Sequence, residues 1–277
     1  MIDVVTSLAG VLLPVALFGC SMRFADEFRK GTSATSDRRT TWVAATLFLY
    51  VVFFSGAAWM RGAPPFSGVA GFLTLLGFYL FAIQAVVERL GGAKPLAVFV
   101  AVPAFLLETT AAAMRASAPP EETAKRGLLF TVHIVTIAGS SACLLLAGAC
   151  GILYLVLDRS MRKGTFGVVF GGLPDLAELG ATLRGTARVG FVLMTVGYNL
   201  GIWLAHDEKT TGFRYTDPTV LLTFAVWLLF GVIAAPSRIR LLGGRAAARA
   251  AAGGLLVIVV LIVMSAIPGI SFHRFTS

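Results

Sequence analysis

Eight apolar runs, each long enough or nearly long enough to cross a lipid bilayer, constrain the fold of this chain more than any other feature. A membrane-spanning helix needs ~20 predominantly apolar residues, because unpaired backbone groups are too costly in lipid. The runs lie near residues 4–20, 41–60, 67–87, 95–114, 128–157, 187–205, 218–236 and 251–270. The sequence therefore predicts an all-α polytopic membrane protein, a bundle of eight transmembrane helices in which residues 1–277 form a single transmembrane domain.

The composition excludes several other classes of protein. Hydrophobic residues make up 57% of the chain and charged residues 13%, whereas about a quarter of the residues in a soluble domain are charged. These values exclude a water-soluble enzyme and a disordered chain, and the cysteines lie inside apolar runs, which argues against a disulfide-stapled module. Lys and Arg outnumber Asp and Glu 23 to 14. In a membrane protein this excess indicates topology and contact with anionic lipid, so the expected partner is the bilayer and not nucleic acid.

The distribution of the basic residues predicts the orientation of the helices. Sixteen of the 23 Lys and Arg residues fall in the first, third, fifth and seventh connections between the runs. Because positively charged loops stay in the cytoplasm, these connections are expected inside and both termini outside. The fifth connection also contains an amphipathic stretch, residues 173–179, which is expected to lie along the inner membrane surface.

All three histidines fall at the predicted outer face. His206 ends the sixth run and His273 follows the eighth. His133 lies inside a fifth run that is longer than a span requires. With an inner end near Leu157, the outer boundary of that run comes near Thr136 and leaves His133 at the interface. Chance placement, or a role as amphipathic interface anchors, remains the alternative to a shared function.

A pair of outer histidines fits a haem site better than a hydrolytic zinc site, since the sequence contains no Cys-x-x-Cys and no His-Glu-x-x-His motif. Haem iron accepts axial histidine ligands, and an apolar, aromatic wall suits its macrocycle. The candidate wall and interface residues are Phe213, Tyr215, Phe272, Phe275 and Trp203, and the candidate partners of the haem propionates are Arg214 and Arg274. The alternative interpretation is a belt of interface aromatics and snorkelling arginines.

The second half of the chain resembles the cytochrome c assembly family, the haem-handling membrane proteins of CcsA, CcmC and HemX type. The resemblance covers roughly residues 127–277. The segments that carry it are Gly127–His133, Gly151–Leu155, Arg162–Lys163, Leu173–Leu176, Gly190–Gly197, Gly201–Ala205, Asp217–Pro218 and Ser271–Phe275.

This resemblance implies a haem b site at the outer face, with His133 and His273 as the axial ligands of the iron, that holds haem for cytochrome c maturation or for haem sensing. It also implies a location in the bacterial inner (cytoplasmic) membrane, partners among the cytochrome c maturation proteins, and an assembly or regulatory role more than an enzymatic one. In the family a tryptophan-rich loop lies between the two histidines. Here Arg214 and Thr216 take the tryptophan positions, and Thr219-Val220 replace a lysine-glutamate pair.

These departures bring the chain nearest the HemX-like members of the family. The alternative function is therefore a HemX-type accessory protein that controls haem biosynthesis through a partner such as glutamyl-tRNA reductase, without stable haem binding. His206 matches no position of the family pattern.

Glu108 is a further candidate, in the outer half of the fourth run. A carboxylate inside a membrane span is costly and marks a functional site by default. It is expected either to tune a ligand or carry protons, or to lie hydrated at the outer interface. A transporter function rests on this residue alone.

Overall fold

The computed structural model describes residues 2–30, 37–61, 65–66, 68–90, 94–117, 127–164, 172–207, 215–235 and 242–266. Within these residues the regular secondary structure is helical. The helices are α1 (Ile2–Lys30), α2 (Asp37–Arg61), α3 (Gly68–Arg89), α4 (Ala97–Ser117), α5 (Leu128–Lys163), α6 (Leu176–Asp207), α7 (Pro218–Ala234) and α8 (Gly244–Ala266), and a short 3-10 turn, Lys94–Leu96, leads into α4.

The prediction of a polytopic helical membrane protein is confirmed. Of the described helices, seven are long and apolar enough to cross a membrane, and α7 is a shorter apolar helix of 17 residues. Their outward faces are apolar, as lipid contact requires: Val11, Phe48 and Leu256 are each about two-thirds exposed.

The sixth helix begins earlier than the apolar run predicted. It starts at Leu176 and not near residue 187, so residues 176–179 of the stretch expected to lie along the membrane surface form its first turn. Asp175 caps this start, since its carboxylate accepts a hydrogen bond of 2.7 Å from the backbone N–H of Glu178. Hydropathy placed the start too late because Arg184 and Arg188 interrupt the run, whereas in the structure both guanidinium groups donate to backbone carbonyls.

Helix α7 has an N-terminus that the sequence predicts well. The carboxylate of Asp217 accepts a hydrogen bond of 2.8 Å from the backbone N–H of Thr219, and Pro218 occupies the first turn, where its missing N–H has no cost. At the other end of α7, Arg184 donates to the carbonyl of Ile233 at 3.4 Å and Arg188 donates to that of Ala234 at 3.2 Å. Both ends of this short helix are therefore satisfied.

The chain divides into two compact units. The N-terminal unit comprises residues 1–126 and 166–174, and the C-terminal unit comprises residues 127–165 and 175–277. In the N-terminal unit α1 packs against α2 and α4, and α3 packs against α4. In the C-terminal unit α5 packs against α6 and α8, and α7 packs against α6 and α8. Each unit therefore contains four of the described helices.

An ion cluster joins three helices of the N-terminal unit. Arg39 at the start of α2 donates to both carboxylate oxygens of Glu88 on α3, at 2.6 and 3.2 Å, and also to Glu27 on α1. The guanidinium lies 4.5 Å from the centre of the Phe24 ring. The three charged side chains are 9–14% exposed, so the charges are largely removed from water and depend on one another.

Candidate functional site

The ring of His133 lies in the second turn of α5 and is held against α6. Its Nδ1 is 2.7 Å from the carbonyl oxygen of Gly197. A carbonyl oxygen only accepts, so Nδ1 carries the proton and donates it to this bond. The neutral imidazole consequently keeps a lone pair on Nε2, and the backbone of α6 determines which nitrogen offers it.

Glycine at position 201 makes this contact possible. A Cβ atom at Gly201 would lie 2.6 Å from Cε1 and 3.1 Å from Nδ1 of His133. Real side chains do not approach so closely, so any larger residue would displace the imidazole. Because Gly197 and Gly201 are one helical turn apart, α6 presents a carbonyl and a bare backbone patch to the same ring.

The surroundings of His133 bury its side chain only in part. The side chain is half-buried, with the Phe130 ring centre 6.5 Å away. The hydroxyl of Thr136, one turn below, donates to the carbonyls of Val132 and His133 at 2.8 and 3.0 Å. This hydroxyl therefore bonds to its own helix and leaves the Gly197 carbonyl to the imidazole.

The single histidine of this site suits an iron atom whose other ligands come mainly from a porphyrin. Among the described residues, no group of three or more His, Cys, Asp or Glu side chains is placed to hold a metal ion. A protein-only zinc site needs three or four such ligands, whereas haem iron has four porphyrin nitrogens and needs only axial ligands. A single, partly buried imidazole with a fixed tautomer fits the second case.

The other predicted site residues lie on varied parts of the C-terminal unit. His206 is exposed in the last turn of α6, Trp203 is 49% exposed, and Tyr215 is 59% exposed just before α7. Trp203 is two residues beyond Gly201, about 200° around the helix, and so projects from a different side of α6 than the one that meets His133. The remaining predictions, at His273, Phe213, Arg214 and Arg274, lie outside the described residues, as do Phe272 and Phe275.

The sequence did not predict an aromatic stack between α6 and α7. Trp227 stacks between Phe191 and Phe224, with ring centres 5.4 and 5.6 Å apart, and Tyr198 lies 6.3 Å from Phe224. The indole N–H of Trp227 donates to the hydroxyl of Thr195 at 2.8 Å. In the sequence, the aromatic residues of this stack and Thr195 recur every three or four residues on each helix, which places their side chains on one face of α6 and one face of α7. This spacing is the feature from which the stack could have been predicted.

Glu108 is buried in the N-terminal unit and not hydrated at an interface. Its side chain is 0% exposed and pairs with Arg115, whose Nη2 is 2.7 Å from Oε1. Arg115 falls just beyond the apolar run that ends near residue 114, but in the structure it belongs to α4. The two residues are seven apart, two helical turns, which is the spacing that would have indicated the pair.

Comparison with known proteins agrees with this architecture. No curated protein matches the chain. The sequence pattern of the cytochrome C assembly protein family matches residues 66–271, which is well over half of the chain. The match includes α3 and α4 as well as the C-terminal unit, and so extends further toward the N-terminus than the resemblance that began at Gly127. The chain belongs to the cytochrome c assembly protein family.

Proposed function

We propose that the protein binds haem b through Nε2 of His133 and holds it for cytochrome c maturation. Its family gives it a role in cytochrome c biogenesis in a membrane setting. The observation that carries the haem-binding proposal is the hydrogen bond between His133 Nδ1 and the Gly197 carbonyl. Metal-bound histidines nearly always donate their second ring nitrogen in this way, to a carbonyl or a carboxylate, which fixes the ring and raises its basicity.

The site is suited to holding a cofactor that must later be released. Cytochromes c carry haem attached covalently at a Cys-x-x-Cys-His sequence, whereas this chain has no Cys-x-x-Cys and would hold haem by coordination, which permits its release. His133 contributes one ligand with a fixed orientation, and the bare backbone at Gly201 gives its ring room. We further propose His273 as the second ligand, with Arg214 and Arg274 binding the propionates and Phe213 and Tyr215 contacting the macrocycle. Trp203, which projects from another side of α6 than Gly201, is left out of this proposal.

The direct test is the visible spectrum of the full-length protein purified in detergent, with and without added haemin. We expect a low-spin, bis-histidine spectrum that is lost in His133→Ala and in His273→Ala. His206→Ala is the matched control, since it removes an exposed histidine from the same unit and should leave the spectrum intact. A protein that takes up no haemin, or a His133→Ala variant with an unchanged spectrum, would refute the proposal.

A HemX-type accessory function is the second candidate, favoured by the residues at the expected tryptophan positions, Arg214 and Thr216. Such a protein would act through a partner, with glutamyl-tRNA reductase as the proposed one. In cells that lack the chromosomal copy, His133→Ala and His273→Ala would then restore function while changes in the cytoplasmic loops would not. The opposite result, in which only the two histidine variants fail to restore function, favours haem binding.

A further inference from the structure

A second group of polar side chains lies in the apolar interior of the N-terminal unit. Arg115 Nη2 is 2.7 Å from Glu108 Oε1, and Arg115 Nη1 donates to the hydroxyl of Thr74 on α3 at 2.6 Å. Thr74 in turn lies 3.5 Å from the same carboxylate oxygen. On α2 the Phe53 ring centre lies 4.9 Å from the Arg115 guanidinium, and Tyr50 is about one turn before Phe53. Three helices thus contribute to one polar group, of which Arg115, at 22% exposure, is the most exposed side chain.

Two buried atoms of this group have no hydrogen-bond partner among the described residues. They are the hydroxyl oxygen of Tyr50 and Oε2 of Glu108, and both residues are 0% exposed. Buried polar atoms in native proteins are nearly always bonded to protein or to ordered water. One atom is an O–H donor and the other is a carboxylate acceptor, so a small molecule that accepts from the first and donates to the second satisfies both.

The Tyr50 hydroxyl packs close to the backbones of α3 and α4 where these two helices meet. A Cβ atom at Gly77 would lie 3.0 Å from that oxygen and 3.6 Å from the carbonyl oxygen of Ala104. Gly77 is about one turn from Thr74 on α3, and Ala104 is one turn from Glu108 on α4. The bare backbone of Gly77 and the unpartnered carboxylate oxygen therefore belong to the same α3–α4 contact.

We propose that a water molecule bridges these two unpartnered atoms and makes Glu108 a proton-exchange site inside the membrane. The water accepts from the Tyr50 hydroxyl and donates to Glu108 Oε2. On protonation, one proton entering from solvent at the Arg115 end passes through the water to Oε2, the carboxyl becomes neutral, and Arg115 keeps its charge and its bond to Thr74. A metal cation does not suit the position, since the Arg115 guanidinium already neutralises the carboxylate.

The groups that face Glu108 define its environment. Its own helix provides Arg115, α2 provides Tyr50, and α3 provides the neutral Thr74. To the core of this unit α1 contributes Leu13, Leu17 and the thiol of Cys20, whose sulfur is 3.5 Å from the Thr46 hydroxyl. Among the described residues packed around this carboxylate, Arg115 is therefore the charged group most directly affected by protonation of Glu108.

Infrared difference spectra of the full chain, recorded as the pH is lowered, test the proposal. We expect a carbonyl band of a protonated carboxylic acid that disappears in Glu108→Gln. The band should shift in Tyr50→Phe, which removes only the hydroxyl, and shift in Gly77→Ala, whose methyl group would meet the Tyr50 hydroxyl oxygen at 3.0 Å and displace it. Glu178→Gln is the control, since that carboxylate lies in the C-terminal unit and should leave the band unchanged.

Two results would overturn the proposal. One is a band that persists in Glu108→Gln, because the proton would then reside elsewhere. The other is a band that is the same in the wild type, Tyr50→Phe and Gly77→Ala, because no water would then connect the hydroxyl to the carboxylate. If Glu108→Gln does not fold, the Tyr50→Phe variant, which keeps the ring, tests the proposal alone through the position of the carboxylic-acid band. None of these outcomes depends on haem binding.

Discussion

The chemistry of His133 depends on two residues that have no reactive side chain. Gly197 contributes a backbone carbonyl and Gly201 contributes the absence of a Cβ atom. No sequence motif encodes this arrangement, because it requires α5 and α6 to meet at a particular register. The family resemblance indicated His133 as a ligand, whereas the reason for its fixed tautomer is visible only in three dimensions.

Replacing Gly201 by alanine should weaken haem binding without unfolding the protein. The added methyl group would meet His133 Cε1 at 2.6 Å and push the ring away from the Gly197 carbonyl. Loss of a supporting hydrogen bond of this kind lowers metal affinity by about 10–100-fold. Haemin titration followed by absorbance measures the change.

Gly185→Ala is the matched control for this substitution. Gly185 lies on the same helix, and a Cβ atom there would meet nothing within 4 Å. We expect Gly185→Ala to bind haemin as the wild type does. Equal affinities of the Gly201→Ala and Gly185→Ala variants would contradict the supporting role of this contact.

Hydropathy located the helices well where their ends are apolar and less well where buried arginines form part of a helix. The apolar runs predicted α3 within a few residues, because Gly68 and Arg89 bound an uninterrupted apolar segment. Hydropathy did not predict the first turns of α6, because a charged residue such as Arg184 lowers the mean hydropathy of the segment. In the structure the Arg184 guanidinium is paired with the carbonyls of Ile233 and Leu242. Hydropathy therefore fails to locate a helix end where a charged side chain is satisfied by hydrogen bonds to a distant segment of the chain.

Arg184 should stabilise the C-terminal unit because it links α6 to the end of α7. Its Nη1 and Nη2 donate to the carbonyls of Ile233 and Leu242 at 3.4 and 3.1 Å, and the residue is 9% exposed. Hydrogen bonds to charged groups contribute about 1.5–3 kcal/mol, so Arg184→Ala should lower the free energy of unfolding by roughly this amount. Thermal unfolding in detergent provides the measurement.

The exposed Arg188 offers the comparison on the same helix. Its single bond, to the Ala234 carbonyl at 3.2 Å, is exposed to solvent. Arg188→Ala should therefore cost less than Arg184→Ala. An equal loss of stability in both variants would show that the buried position of Arg184 has no special effect.

Arg39 should be the residue on which the association of α1, α2 and α3 depends most. Arg39→Gln would leave the carboxylates of Glu27 and Glu88 without their shared cation, and breaking a buried ion pair from one side costs about 3–5 kcal/mol. Lys30→Gln is the control, because the Lys30–Asp26 pair is exposed and contributes about 0–1 kcal/mol. Unfolding midpoints that fall equally in both variants would contradict this assignment.

The family match crosses the boundary between the two compact units. It begins at residue 66 and so takes in α3 and α4 but not α1 or α2. The resemblance seen in the sequence began only at residue 127, because its most specific segments lie around the histidines. Hydropathy alone describes the earlier helices, and it does not distinguish a family member from any other membrane bundle.

The predicted orientation of the chain is testable with cysteine labelling of whole cells. The native cysteines, Cys20, Cys143 and Cys150, are all buried, so a membrane-impermeant maleimide should react little with the folded wild type. A cysteine in place of the exposed His206 should react from outside, and one in place of the exposed Arg162 only after the membrane is permeabilised. The reverse pattern would place both termini in the cytoplasm.

The length of α7 has a consequence for how a ligand reaches this part of the protein. Seventeen residues make a helix of about 26 Å, which is shorter than the ~30 Å hydrocarbon core of a typical bilayer. A short span is accommodated when the bilayer thins around it or when its flanking residues extend toward the interface. If α7 spans the bilayer, the turn at Tyr215–Asp217, just before it, should lie close to the acyl chains. A flat amphiphile dissolved in the membrane would then reach this turn by lateral diffusion and would not have to arrive through water.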